Sequence, residues 1–166
     1  MSDPDSVEQL RSELKKDLDF IRRNYRKNRE MTERIEAASE QDEYEYAALG
    51  YTLHNLYNAL ESYFLRIAKY FENNLSSSGW HRSLIERMTL DIDGVRPALF
   101  DDDFSIRVDE LMRFRHLFRN LYKTPLDPQK VRFANGKARS MLEEFERYHE
   151  RFDEFLKRLK SELERE

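Results

Sequence analysis

Apolar residues recur along this chain at alternating three- and four-residue steps, the period of helices that bury one side. Leu10, Leu14, Leu18, Ile21 and Tyr25 set the first such pattern and lead toward Ile35. Ser2 or Asp3 stands where a cap belongs, with Pro4 in the first turn, so a long amphipathic helix is expected. After a polar break at Ser39-Glu40-Gln41, residues Tyr44, Ala47, Leu53, Leu56, Leu60, Phe64, Ile67 and Phe71 outline a second helix that ends near Asn73-Asn74. Leu75 to Gly79 has the composition of a loop, and Trp80 to Met88 predicts a short helix with Trp80, Leu84, Ile85 and Met88 facing inward. Asp91 to Asp103, holding Gly94 and Pro97, is expected to be irregular. A further helix is predicted from about Phe104 to Tyr122, stopped by Thr124-Pro125 because the residue before proline is pushed out of the helical region. Asp127 and Pro128 then open one last long helix with Phe133, Met141, Leu142, Phe145, Phe152, Phe155, Leu156 and Leu159 on its apolar side.

No segment alternates as a strand does, and no repeat is present. The pattern therefore predicts an all-α fold, a bundle of four main helices plus a short one, in a single domain spanning residues 1–166 with residues 1–8 and 160–166 frayed. Four Gly and four Pro in 166 residues agree with few turns. Cysteine is absent, which excludes disulfides and thiolate metal sites and fits a reducing compartment. No apolar run reaches the roughly 18 residues of a membrane span, and the first residues are acidic where a signal peptide is basic, so a cytoplasmic location without membrane association is expected.

The net charge of −4 argues against a protein that coats nucleic acid along its whole surface. That average conceals a basic segment. Between Arg107 and Arg139 there are nine Lys or Arg residues against three acids, a local +6 that leaves −10 for the remainder. Inside it, a helical wheel at roughly 100° per residue gathers Phe114, Leu117, Phe118 and Leu121 on one stripe and sets Arg115, His116, Arg119, Asn120 and Tyr122 on the opposite face. That face contains no acid, and it carries a histidine, a side chain able to shuttle protons. Metal-free RNA cleavage requires a base, an acid and fixed cations, which such a face supplies; rim salt bridges on an ordinary surface helix are the alternative. Arg113, Arg119 and Lys123 are candidate phosphate-binding groups.

The other histidines carry less. His54, beside Asn55 and Tyr57 with Glu61 two turns on, and His81 after Trp80 are expected to be structural, while His149 lies in a charged helix. No metal-ligand spacing occurs, so neither a metal site nor a cofactor is expected. Tyr25, Tyr44, Tyr46 and Tyr51 are candidates for an interface.

Arg115-His116-Leu117-Phe118-Arg119-Asn120-Leu121-Tyr122 resembles the Arg-x4-His-x-Tyr motif of HEPN-domain ribonuclease toxins, in particular the HepT-like branch paired with a nucleotidyltransferase antitoxin. Leu53 to Glu61, Arg66-Ile67-Ala68, Trp80-His81 with Leu84 and Met88, and Arg96-Pro97 resemble that branch in the same order. The resemblance implies a helical bundle that forms a two-fold homodimer, joining two motifs in a cleft that cleaves RNA, often tRNA. It implies a phosphate-holding role for Arg115, an orienting role for His116, and modification of Tyr122 with AMP by the partner antitoxin. At the position of the motif's catalytic histidine this chain has Asn120, which hydrogen-bonds but exchanges no proton near neutral pH. That leaves two accounts open: a natural variant with altered or absent cleavage, or a histidine replaced so that a toxic protein could be produced. A HEPN-like protein that binds a nucleotidyltransferase or RNA without cutting is the competing function.

Overall fold

The computed structural model describes residues 2–72, 80–121 and 125–166, with residues 80–83 described by backbone alone. The expected loop at 75–79, the inward side chain of Trp80, His81, Tyr122 and Lys123 lie outside the described residues. Six helices follow in order among the described residues: α1 (Pro4–Ala37), α2 (Glu43–Phe71), α3 (Trp80–Met88), α4 (Asp102–Arg119), α5 (Pro128–Ala138) and α6 (Met141–Leu163). The fold is all-α, as the apolar periodicity predicts.

Asp3 caps α1 by accepting from the Ser6 amide at 2.8 Å, and the Ser6 hydroxyl accepts from the Asp3 amide in return, so both orphan donors are satisfied. Asp42, Asp101 and Asp127 cap α2, α4 and α5 in the same chemical manner, each through a backbone amide inside the first turn. Four aspartates thus mark four helix starts.

The centre of the fold is α2. Its buried positions repeat at seven-residue intervals in three adjacent columns: Tyr46, Leu53, Leu60 and Ile67; Leu49, Leu56 and Tyr63; Gly50, Tyr57 and Phe64. Three columns make an apolar surface too wide for one partner, and α2 accordingly packs against α1, α3, α4 and α5. Buried Val7, Leu10, Leu14, Leu18, Ile21 and Tyr25 on α1 cover one side of it. Packed beside α1, α6 adds Phe145, Phe152 and Leu156 to the same core, with Phe145 against Tyr63 and Phe64 of α2.

Polar groups pin these layers in register. Asp17 of α1 is buried and accepts from Arg66 of α2 at 2.5 Å. Asn28 of α1 donates to Thr52 of α2 at 3.0 Å and to Asn135 of α5 at 2.8 Å. Arg96, in the connection to α4, is buried, reaches Glu72 at 2.6 Å and donates to the carbonyls of Arg87, Leu90 and Pro97.

The last helix departs from expectation. It is not continuous but breaks at Arg139-Ser140, where Ser140 has a φ of 59°, in the left-handed region. No glycine or proline stands at the break. Arg107 of α4 explains how it is held: the guanidinium donates to the carbonyls of Lys137 and Arg139 at the end of α5 and pairs with Glu144 of α6 at 2.7 Å. A charged side chain from a neighbouring helix thus serves as the C-cap. The change of direction leaves Phe133 exposed instead of in the core, with Lys137 over its ring.

His149, in the charged helix α6, is half-buried, and its Nδ1 lies 2.8 Å from the hydroxyl of the fully buried Tyr63. Burial is the largest influence on His149 and pushes its pKa below the ordinary histidine range. The unfolded chain then binds the proton more readily, so this contribution to stability is fully present above about pH 6.5 and is lost as pH falls from there through the folded value. The thermal midpoint is expected to drop between pH 7 and pH 5, and to drop less steeply in His149→Gln, which keeps an acceptor for Tyr63. Equal slopes for the two proteins, followed by calorimetry, refute this account.

Candidate functional site

The informative end of α4 sits where α4 crosses α2. Phe104, Val108, Leu111 and Arg115 follow one another at steps of four, three and four, so Arg115 occupies the next position of the buried stripe. It is 4% exposed. Two expectations are corrected here. Arg115 does not lie on the solvent face of α4, and its charge is not left without an acid.

The acid comes from α2. Glu61 Oε1 accepts from Arg115 Nη1 at 3.0 Å, and Glu61 Oε2 lies 3.0 Å from Nη2. Asn58, one turn earlier on α2, accepts from Nη1 at 2.9 Å through its amide oxygen. The guanidinium also stacks over the ring of Tyr57, 4.3 Å from its centroid. Planar charge, paired carboxylate and aromatic face together suit arginine and would not suit lysine. Burial, and next the neighbouring Glu61 carboxylate, raise the Tyr57 phenol far above its usual range, so it stays neutral.

His54 extends this cluster by one more turn. His54, Asn58 and Glu61 follow the i, i+4, i+7 spacing and form one ridge of α2 facing α4. His54 Nε2 lies 3.1 Å from Asn58 Nδ2, and the ring packs on Phe118 with centroids 5.8 Å apart. Close approach of the two helices is permitted by Gly50, one turn before His54: a Cβ there would stand 2.9 Å from the Phe118 ring. From the sequence His54 is expected to be structural, with Glu61 two turns on, and Asn58 has no role. The signal was present in that spacing, but nothing in the sequence alone says which face of α2 meets α4.

His116, Arg119 and Asn120 are exposed, as the wheel predicts. Among the described residues Arg119 makes no ion pair, whereas Arg113 pairs with Asp109 of its own helix at 2.8 Å. Asn120 is the C-cap of α4, its Nδ2 donating to the His116 carbonyl at 2.8 Å. An outer layer of one free guanidinium, one imidazole and one amide therefore sits at the end of α4, over an inner layer of Arg115, Glu61, Asn58 and His54. Beside the inner layer a groove of about 360 Å³ runs between α1 and α2, lined by Phe20, Asn24, Asn55, Asn58 and Ser62 among others. The larger cleft, about 570 Å³, lies elsewhere, near Tyr46 and Arg132, and its arginines are matched by Glu33, Glu36 and Glu143. Of the four tyrosines expected at an interface, Tyr25 and Tyr46 are buried, while Tyr44 and Tyr51 are exposed on α2.

With this geometry in hand, a family model described as HepT-like protein matches residues 48–156, about two thirds of the chain. The chain belongs to the HepT-like family. No curated protein and no solved structure matches it. The HepT-like match begins in α2 just before Gly50 and ends in α6, so it takes in both layers of the site together with the helices that support them. No group of three or more candidate metal ligands occurs among the described residues, and none of the described helices is long and apolar enough to cross a membrane.

Removing one partner of a buried ion pair strands the other charge, at a cost of roughly 3–5 kcal/mol, whereas replacing both by apolar groups of similar volume is often neutral. Arg115→Ala is therefore expected to lose about that much stability, and the double variant Arg115→Met with Glu61→Leu to recover most of it. Urea titrations of the single and double variants check this; additive losses in the double variant contradict the pairing.

Proposed function

We propose that this HepT-like chain is the ribonuclease toxin of a HEPN toxin-antitoxin pair, acting on RNA in a cleft shared by two copies.

 A homodimer cleaves RNA without a metal, with tRNA as the expected substrate class, and is held in check by a nucleotidyltransferase antitoxin that adds AMP to Tyr122. The observation that carries it is the two-layer arrangement at the end of α4: a guanidinium locked by Glu61 and Asn58, with His116, Arg119 and Asn120 exposed above it.

The chemistry follows from the groups. Arg119 offers a cation to a phosphate without first breaking an ion pair with a described residue and so favours the doubly charged phosphorane of RNA cleavage, while Arg115, its charge matched by Glu61, holds the helix that presents it. His116 is the exposed proton-transfer group of this face. Adding AMP to Tyr122, three residues after Arg119 in the sequence, introduces a competing phosphate and repels RNA. Tyr44 and Tyr51, one heptad apart and exposed on α2, support a dimer that pairs through this helix.

Asn120 favours a second reading, a HEPN-like subunit that binds RNA or a nucleotidyltransferase without cutting. Its amide is engaged in capping α4 and has no titrating proton. Incubating tRNA with this chain and with Asn120→His separates the two. Cleavage on a denaturing gel is expected to rise by roughly 10²-fold or more in the histidine variant, the usual contribution of a positioned acid or base. Arg119→Gln, a surface change that spares the buried pair, is expected to weaken RNA binding and to flatten its dependence on salt. If neither chain cuts and Arg119→Gln binds RNA as tightly as the parent, the nuclease reading fails.

A further inference from the structure

The amide of Asn58 stands between two groups with opposite demands. On one side is Arg115, whose guanidinium has donors only; on the other is His54, whose ring nitrogens can each donate or accept. The 2.9 Å bond from Arg115 Nη1 fixes the amide oxygen toward the arginine, which turns the amide NH₂ toward His54 Nε2 at 3.1 Å. Nε2 must then present its lone pair, and the ring proton of the neutral imidazole resides on Nδ1. That nitrogen is buried and has no hydrogen-bond partner.

A cationic His54 is incompatible with this arrangement. It needs acceptors for two N–H groups, whereas Nδ1 faces none and Nε2 faces a donor. The acceptor within reach of Nε2 is the Asn58 oxygen, available only if the amide turns over, and the turn sets an NH₂ group against the Arg115 guanidinium. The surrounding charges act in the same sense: α4 presents Arg115 and Arg119, while α2 presents Glu61, already held by Arg115, and the neutral phenol of Tyr57. Asp17 of α1, which lines the adjoining groove, is paired with Arg66 of α2. Burial first, then Arg119 and Arg115, push the His54 pKa below its ordinary value.

We propose that His54 is a positioning residue for Arg115 and that Asn58 is the two-position bridge between them: a neutral imidazole keeps the guanidinium locked, and a proton on Nε2 turns the bridge over and removes one of the guanidinium's acceptors. The proton comes from solvent, no covalent bond changes, and Glu61 remains to hold the loosened arginine. Its meaning for RNA rests on the function proposed above, since a guanidinium freed from Asn58 has a donor to spare for phosphate. The coupling between His54 and Arg115 itself does not depend on that reading.

The test uses the full chain, labelled with ¹⁵N, and follows the His54 ring, the Asn58 amide and the Arg115 guanidinium by NMR from pH 8 to pH 4.5. At pH 8 the His54 ring is expected as the Nδ1–H tautomer. On acidification all three side chains are expected to shift with one shared midpoint, below the ordinary histidine value of about 6.5. In Asn58→Ala the ring still titrates, but the Arg115 signals no longer follow it; in His54→Gln the step at Arg115 and Asn58 disappears. An Nε2–H tautomer at pH 8, an Arg115 resonance without a step at the His54 midpoint, or a step that survives in Asn58→Ala overturns the proposal. None of these signals depends on whether RNA is bound or cut, so a failed nuclease assay and a failed coupling are separate results.

Discussion

The buried pair between Arg115 and Glu61 is the constraint around which the candidate site is arranged. A charge in the core is tolerated only when its partner is correctly placed, so the pair demands one register between α4 and α2 where apolar contacts alone would accept neighbouring ones. Gly50 and Phe118 reinforce that register from the α2 side, because the ring occupies space that any larger residue would fill. Once α4 is so placed, His116, Arg119 and Asn120 in its last turn have a fixed relation to α2. The exposed chemistry is thus positioned by a buried charge that solvent hardly reaches.

Helix identity was legible in the sequence because it depends on local order: three- and four-residue apolar steps, and an aspartate before each of four starts. Two failures have a common physical origin. A window confined to residues 110–122 could not show that Arg115 continues the series Phe104, Val108 and Leu111, and charge was taken as evidence of exposure when a partner 54 residues away supplied the compensation. The break at Ser140 was equally hidden. Its stabilising group, Arg107, comes from another helix, and no local residue marks the turn. The site was legible as a location and illegible as an arrangement, since Asn58, Glu61 and His54 become partners of Arg115 only when two helices meet.

The same pairing changes the electrostatic picture drawn from composition. Of the basic residues between Arg107 and Arg139, Arg107, Arg113 and Arg115 are each held by a carboxylate. The segment is therefore less free to attract phosphate than its sequence charge suggests, and in the last turns of α4 the arginine without a carboxylate partner among the described residues is Arg119. A guanidinium in that position has a second role, because the carbonyls at the end of α4 carry the negative end of the helix dipole and favour a cation. An incoming phosphate must outweigh that attraction.

Asn120 occupies the point where those influences meet. As the C-cap of α4 it satisfies the His116 carbonyl, and an uncharged amide does so at any pH. An imidazole there would feel the negative end of the helix, which stabilises its cationic form, and the positive charge of Arg119, which opposes it. Its protonation would thus respond to whether a phosphate had neutralised the arginine. With asparagine that response is absent, and the end of α4 keeps its hydrogen bond and its shape while giving up any coupling between anion binding and proton uptake at this position.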